Sequence, residues 1–416
     1  MEKNRRSFQY LEPPFFLTNI EKVNTTNSSW SSSEGMRNPE ESEKNPWRGE
    51  FFINLLTQKG KEVSEMFKVR FVSVLLVGCF VLGVTQAFGR EDEAKLINEV
   101  KKEGKLVYWC SGLTADLAKV IEEGFKKRYG LQGFQVVYAP TRTTEAIAKL
   151  TQELRAKRVT VDMISGAMPQ FHYELLKAGE LMRYESPEYK YFSKTKGLDF
   201  EPGYWIPTNS YSFVMMWNPK HVKKNIVTYT DLLDPQFKGM ICSGDPMKSE
   251  SFLTYYIGLR KILNKDFMLK LAKQDIMWLT RAPDVTTKVV SGERPVAFMG
   301  SNLKAYVAAM EGADIKVCYP KEGVVLMSNP FPILNKAPHP NAARLFTDYL
   351  SSREAQTLMV EKSSYFTARE DVPIPPKVFE FTPSISKINV IPMDWKSITE
   401  KDIKEARREF LEIFGK

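Results

Sequence analysis

The sequence predicts an α/β protein of two lobes, each a mostly parallel sheet flanked by helices, with two extended segments crossing between them. Three observations carry that expectation. The chain has 416 residues, too long for one ordinary core. From Lys105 onward, short apolar strands alternate regularly with amphipathic helices. Two long extended stretches, 211–217 and 324–334, interrupt that alternation. Strands separated by helices of ten or more residues imply parallel pairing through right-handed crossovers.

Taken in order, strand 106–110 precedes a helix over about 114–128, strand 134–138 one over about 143–157, and strand 161–164 one over about 168–178. The pattern breaks at Gly203-Tyr-Trp-Ile-Pro207 and the first extended stretch. It resumes with strand 239–243, helices 249–263 and 265–278, strand 295–299, helix 302–310 and strand 315–318. After the second stretch come helices 341–351 and 353–361. This order divides the folded part into a discontinuous lobe, 88–207 with 324–416 and its C-terminal helices, and a second lobe, 208–323.

Residues 66–87 carry the three parts of a secretory signal: basic Lys68 and Arg70, an apolar run 71–84, and Ala87, after which cleavage leaves a chain beginning near Phe88. The same residues admit two other readings. Leu76-Val-Gly-Cys79 fits a lipoprotein box that would lipidate Cys79, and the uncharged run 71–88 is long enough for an uncleaved anchor. All three place the main body outside the cytoplasm, periplasmic or secreted, because the positive charges precede the apolar run. Residues 1–65, rich in Asn, Ser, Glu and Pro with no sustained period, predict a disordered extension. Codons AAG-GAG-GTN for Lys61-Glu-Val63 would spell a ribosome-binding sequence just before Met66, so translation is expected to start there.

Composition narrows the function classes. Hydrophobic residues at 43% and aromatics at 12% exclude global disorder. The net charge of +9 permits anionic solutes, anionic lipid or nucleic acid. Most lysines alternate with glutamates on helix faces, as over 91–102, and no basic cluster interleaved with aromatics marks a nucleic-acid partner. Of four cysteines, Cys110, Cys242 and Cys318 fall in the folded part at the ends of apolar runs, where a thiol serves as a small core residue. With His172, His221 and His339 far apart, no histidine pair offers a metal site, and no cofactor is expected. No G-x-S-x-G, H-E-x-x-H or phosphate-loop pattern occurs. Ser193-Lys-Thr-Lys196 and Ser384-Ile-Ser-Lys387 match S-x-x-K, a pairing that a lysine-rich chain produces by chance.

Five fragments in order carry a resemblance: 229–241 (Tyr-Thr-Asp-Leu-Leu-Asp-Pro-Gln-Phe-Lys-Gly-Met-Ile), 244–249 (Gly-Asp-Pro-Met-Lys-Ser), 290–298 (Val-Ser-Gly-Glu-Arg-Pro-Val-Ala-Phe), 319–323 (Tyr-Pro-Lys-Glu-Gly) and 338–356, which opens Pro-His-Pro-Asn-Ala-Ala. Together they resemble the solute-binding proteins of ABC importers with type II topology, in the ferric-iron, thiamine and phosphonate-type group, over roughly 96–415. The fragments are fold signatures. Pro235 fixes φ and Gly239 tolerates an unusual backbone angle before a buried strand, and the proline pair at 338–340 opens a helix. The resemblance implies a monomeric carrier, not an enzyme, that closes over a small anionic or polar solute such as an organic acid, phosphonate or sugar phosphate and hands it to an inner-membrane permease. The alternatives are a ferric-iron carrier and an exported hydrolase on the same fold. Ferric members of the group carry adjacent tyrosines, and the aligned place here, Gly300-Ser-Asn-Leu303, has none.

In open α/β sheets, ligands bind beyond the C-terminal ends of strands, where helix N-termini offer unpaired N–H groups. Hydroxyl-rich ends of that kind supply Ser111, Thr114, Thr143, Ser165, Ser249, Ser251 and Ser301. Any one of these is ordinarily a helix cap, but several converging suit an anion. Arg142 and Arg281 are candidates for a two-pronged contact with carboxylate or phosphate. Tyr211, beside the first crossing, is a candidate apolar wall.

Overall fold

The computed structural model describes residues 92–192 and 197–415, all within one compact unit, Leu82–Lys416. The expected extension 1–65, the 66–87 segment with Cys79, and the Ser193–Lys196 motif lie outside the described residues.

The described chain opens with helix α1 (92–103). There follow β1 (Lys105–Cys110), α2 (Ala115–Tyr129), β2 (Gln135–Pro140), α3 (Thr143–Arg155), β3 (Met163–Ser165) and α4 (Pro169–Lys177). Next come β4 (Ser210–Tyr211), β5 (Phe213–Trp217), β6 (Ile241–Gly244), α5 (Glu250–Leu259), α6 (Lys265–Ala272), β7 (Met277–Leu279), α7 (Ala282–Ser291), β8 (Val296–Ser301), α8 (Asn302–Met310) and β9 (Lys316–Cys318). The chain ends with β10 (Met327–Ser328), α9 (Pro340–Ser351), α10 (Arg353–Ser363), the short α11 (Pro376–Phe379) and α12 (Glu400–Phe414).

Strands β2-β1-β3 form a parallel sheet in that order. Its central strand is buried on both faces, with Leu106, Tyr108, Trp109 and Cys110 all excluded from solvent, as a strand covered by helices on either side must be. Helix α2 starts at the cap Thr114 and stops at Gly130 in the left-handed region, φ 60°. Between them Leu117, Ile121 and Phe125 share its buried face. The Phe125 ring meets Phe346 of α9 at 5.2 Å and Tyr349 at 5.8 Å, so a helix more than two hundred residues away closes the first core. Each such aromatic pair adds about 0.5–1.5 kcal/mol beyond burial.

The second sheet runs β7-β6-β8-β5-β9. Strands β7, β6 and β8 are mutually parallel, whereas β5 is antiparallel to both β8 and β9. The chain enters β5 directly from a crossing, without a helix to turn it round, so this strand alone runs against the rest. The crossings themselves meet as β4 against β10, antiparallel, with Ser210 opposite Ser328 and Tyr211 opposite Met327. The expected turn before the second sheet is present: Asp234 caps Pro235–Phe237 and Gly239 sits at φ 75°. The cysteines Cys110, Cys242 and Cys318 are free thiols, the first two buried.

The structure departs from the sequence expectation in two places. The helix expected over 265–278 ends at Ala272, and Met277–Leu279 is strand β7, paired with Cys242–Gly244. Asp275 takes a positive φ of 56°, which no helix interior accepts, and the residues beyond it satisfy their backbone against β6. Helix α7 then follows, an element the sequence reading did not place. The last helix is the second departure. Although it belongs to the segment 324–416 assigned to the first lobe, α12 packs on α5 and α6 of the second, with the Phe410 ring 5.4 Å from Tyr256 and 4.8 Å from Trp278.

Asp348 of α9 is a buried carboxyl whose Oδ1 has no hydrogen-bond partner, while Oδ2 accepts the Tyr184 hydroxyl at 2.8 Å. Burial pushes its pKa up to about 6, against the lowering effect of Ser186 and Tyr184. With the folded value above the unfolded one, the native state holds more protons between pH 4 and 6, so stability falls as pH rises through that window. Replacing Asp348→Asn keeps an acceptor for Tyr184. The variant is expected to be more stable at pH 8 by on the order of 2–3 kcal/mol and to lose that slope in urea denaturation across pH 4–8.

Candidate functional site

A cavity of about 480 Å³ opens between the two sheets, large enough for a small organic molecule. It lies where the strands end and the next helices begin. From the first sheet come Ser111, after β1, and Arg142 with Thr143 at the start of α3. From the second come Ser249 and Ser251 at α5, Arg281 at α7 and Ser301 at α8, with Tyr211 of the crossing strand between.

Eight of the ten residues expected from sequence therefore line one cavity. Thr114 and Ser165 do not. The Thr114 hydroxyl accepts the Leu117 N–H at 3.3 Å as an ordinary cap, and buried Ser165 donates to the Asn329 carbonyl at 3.0 Å. The contrast with the cavity residues is informative. At α5, α7 and α8 the residue preceding the helix makes no side-chain cap bond, while at α3 the Glu145 carboxylate accepts the Arg142 backbone N–H at 3.4 Å. The hydroxyls of Ser249 and Ser251 are 3.4 Å apart, and Thr143 donates to Ser111 at 3.1 Å. Helix starts left without side-chain caps, facing a space, present their dipoles and amides to whatever fills it.

Close approach of these loops depends on glycine. A Cβ at Gly166 would lie 2.9 Å from the Ser111 hydroxyl, and one at Gly112 would lie 2.5 Å from the Asn329 amide nitrogen. Asn329 is 2% exposed, lines the cavity, and its Oδ1 has no partner. A buried amide with spare hydrogen-bonding capacity at a cavity wall is a group waiting for a polar ligand atom. Apolar walls are supplied by Phe213 and Phe252, whose rings stack at 4.3 Å, and by Leu113 and Leu303.

The charges are unevenly satisfied. Arg142 binds Glu145, with Nε to Oε1 at 2.8 Å, and Arg281 binds Asp284 at 2.7 Å, each one turn along its own helix. The Glu145 carboxylate holds the Arg142 guanidinium above its usual range, and the charge of Arg281 across the cavity opposes this. Lys248 sits 3.4 Å from Asp245. Lys304, on the first turn of α8, is different. It is half-buried, burial lowers its pKa, and among the described residues no carboxylate or acceptor meets its ammonium.

Lys304, Lys248 and Asn329 were not singled out in the sequence. Lys304 lies three residues past Ser301, one helical turn from a helix start that was, and that spacing is the signal that marks it. The tyrosine pair Tyr255-Tyr256 is buried away from the cavity: Tyr255 donates to the Phe213 carbonyl and Tyr256 to Glu409. Tyr211 is the one tyrosine lining the cavity among the described residues.

Two lobes with a polar cleft at their strand ends match a family model described as bacterial extracellular solute-binding protein, over residues 123–383. The chain belongs to that family. No curated protein matches it. Among solved structures it is similar to the periplasmic binding protein AfuA from Actinobacillus pleuropneumoniae with exogenous fructose-6-phosphate bound, at 17% identity and TM-score 0.63, over 74% of this chain and 98% of that one. The substrate-binding protein of an ABC transporter from Agrobacterium tumefaciens gives 16% and 0.63, over 75% and 96%. Iron-bound HitA from Pseudomonas aeruginosa gives 20% and 0.58, over 74% and 97%. These likenesses establish the fold, a type II periplasmic-binding-protein architecture. As a member of an extracellular solute-binding family, the chain captures a solute, and no helix among the described residues is long and apolar enough to cross a membrane.

The glycines at the cleft separate two kinds of constraint. At Gly244 a Cβ would lie 2.0 Å from the Phe252 ring, which is packed on Phe213, whereas at Gly112 it meets the far end of a polar side chain at the cavity surface. Gly244→Ala is expected to cost about 1–3 kcal/mol in urea denaturation and Gly112→Ala less than about 1 kcal/mol. Equal costs would show that Asn329 is as firmly packed as Phe252.

Proposed function

We propose that this chain is the solute-binding subunit of an ABC importer, that its ligand is a small organic anion carrying phosphate, phosphonate or carboxylate, and that it delivers this solute to an inner-membrane permease without chemical change. The observation that carries the ligand class is Lys304. Each other cation on the cavity wall has its own carboxylate, so among the described residues the single surplus charge there is an ammonium that burial disfavours. The uncapped starts of α5 and α8 on the same wall add the amides an oxyanion needs. The apolar rings of Phe213 and Phe252 and the Asn329 amide suit an organic body with hydroxyls better than a bare ion. A sugar phosphate combines the two, as does the fructose-6-phosphate bound to AfuA.

On this reading the 66–87 segment exports the chain, as a cleaved signal or as an anchor. The lobe formed by 88–207 and the return after 324 as far as α12 closes on the lobe 208–323, which carries α12 on α5 and α6, the chain acting as a monomer. Closure follows from differential affinity: a ligand that touches both lobes favours the state in which it touches both. A micromolar ligand supplies about 8 kcal/mol, enough to tilt a hinge equilibrium of a few kcal/mol.

A thermal-shift panel of organic acids, phosphonates, hexose phosphates, thiamine and ferric citrate tests the reading. A concentration-dependent rise with one organic-anion class is expected, with no turnover of the bound compound. A rise with ferric citrate alone would replace the anion by iron. For the compound that binds, Lys304→Met is expected to weaken affinity roughly 30- to 100-fold, about 2–3 kcal/mol, by calorimetric titration. The anion raises the Lys304 pKa on binding, so wild-type affinity falls as pH climbs through the lowered value of the free protein. The variant should lose that alkaline limb.

A further inference from the structure

Glu250 is the feature of the cavity that the anion reading leaves unexplained, because an acidic residue lies on the wall that is to receive a negative charge. It is the first residue of α5, next to Ser249 and Ser251, where a carboxylate interacts favourably with the helix dipole. Its partner comes from a distant part of the chain. The Arg407 guanidinium of α12 bonds the Glu250 carboxylate across 157 residues of sequence, and both side chains are about one-third exposed.

The route by which Arg407 arrives is a third connection between the lobes. Val390 bridges Val324, Trp395–Ser397 packs beside α4, and the Trp395 indole donates to the Gly197 carbonyl at 3.4 Å. Three residues later α12 begins and lies on α5 and α6. Its position there does not depend on Arg407. The Arg260 guanidinium grips Glu409 through Nε and Nη2 at 2.7–3.1 Å, and Phe410 and Phe414 pack on Trp278 at 4.8 and 5.0 Å. A part-exposed ion pair adds little to stability. What this one changes is the charge at the cleft.

We infer that Arg407 is a positioning residue for solute specificity: it holds and neutralises the Glu250 carboxylate, so that a helix start which opens with an acid accepts an anion. This rests on the anionic reading of the cleft. The carboxylate bonded to Arg407 is turned toward α12, and the amides of the α5 first turn remain for the solute. Freed from Arg407, the same carboxylate is a fixed negative charge beside the bound anion, and like charges at an interface are strongly discriminating.

Calorimetric titration of the full chain with glucose 6-phosphate and with inorganic phosphate, at two salt concentrations, tests this. Arg407→Gln keeps the length of the stem and removes the charge. It is expected to weaken binding about tenfold at low salt and less at high salt. Arg407→Lys should stay within about threefold of wild type, Glu250→Gln should bind no more weakly than wild type, and the double variant Arg407→Gln with Glu250→Gln should recover to within about threefold. Recovery by removing the acid is a readout that a merely structural role for Arg407 would not move. Wild-type affinity in Arg407→Gln, or a double variant as weak as that single one, overturns the inference while leaving the anion reading intact. A wild-type protein that takes up neither probe nor any organic anion of the thermal-shift panel overturns both, and does so before any variant is measured.

Discussion

The cleft depends on the antiparallel contact between Ser210–Tyr211 and Met327–Ser328, where the two crossings of the chain run side by side. A two-residue ladder is a weak sheet, and the surroundings compensate. The Ser210 backbone also exchanges both its hydrogen bonds with Phe366, at 2.7 and 3.3 Å, and its hydroxyl meets that of Ser328 at 3.0 Å. Ser212, one residue on, donates its hydroxyl to the Val325 carbonyl and its backbone N–H to the Asn302 Oδ1. These backbone and hydroxyl groups of the two serines are therefore held, as burial requires. The next residues along each strand, Phe213 and Asn329, are left facing the cavity. The junction that joins the lobes and the wall that meets the solute are consecutive in sequence.

Much of this was legible without coordinates because it rests on local periodicity. The first three strand–helix units, the helix over 302–310 and the two after 340 are set by apolar spacing and caps, and the structure places them within a few residues. The sequence also indicated that helix starts would converge, since parallel strands leave no other place for a ligand. It did not reveal β7 or α7. A run such as Ile276-Met-Trp-Leu279 suits helix and strand alike, and only the free edge of β6 decides between them. Nor did it separate a serine that caps from one that faces a cleft. Thr114 and Ser249 both precede helices, and the difference between them is what lies beyond.

Charge was the least legible level. Arg142 and Arg281 stood out in the sequence because arginine at a strand–helix junction is conspicuous, yet each spends its guanidinium on an acid in its own first turn. Lys304 was one lysine among many. Its significance comes from what does not surround it, and an absence of partners is a tertiary fact. The same holds for Glu250, whose meaning changes once a helix 157 residues away supplies an arginine. Pairing decides function here more than composition does, which is why a net charge of +9 permitted several partners and chose none.

The arrangement of these charges bears on how closure is tied to occupancy. Arg142 stands on the first lobe and Arg281 and Lys304 on the second, and the two arginines already oppose one another across the cavity. Bringing the lobes together without an anion would strip water from Lys304, the cation on this wall with no carboxylate partner among the described residues, and that cost grows as the effective dielectric falls. An anion beside it supplies the missing partner. On the anionic reading, the empty cleft is thus expected to stay open and the filled one to shut. The bias needs no separate latch, because the differential interaction that selects the closed state is the ligand's own charge.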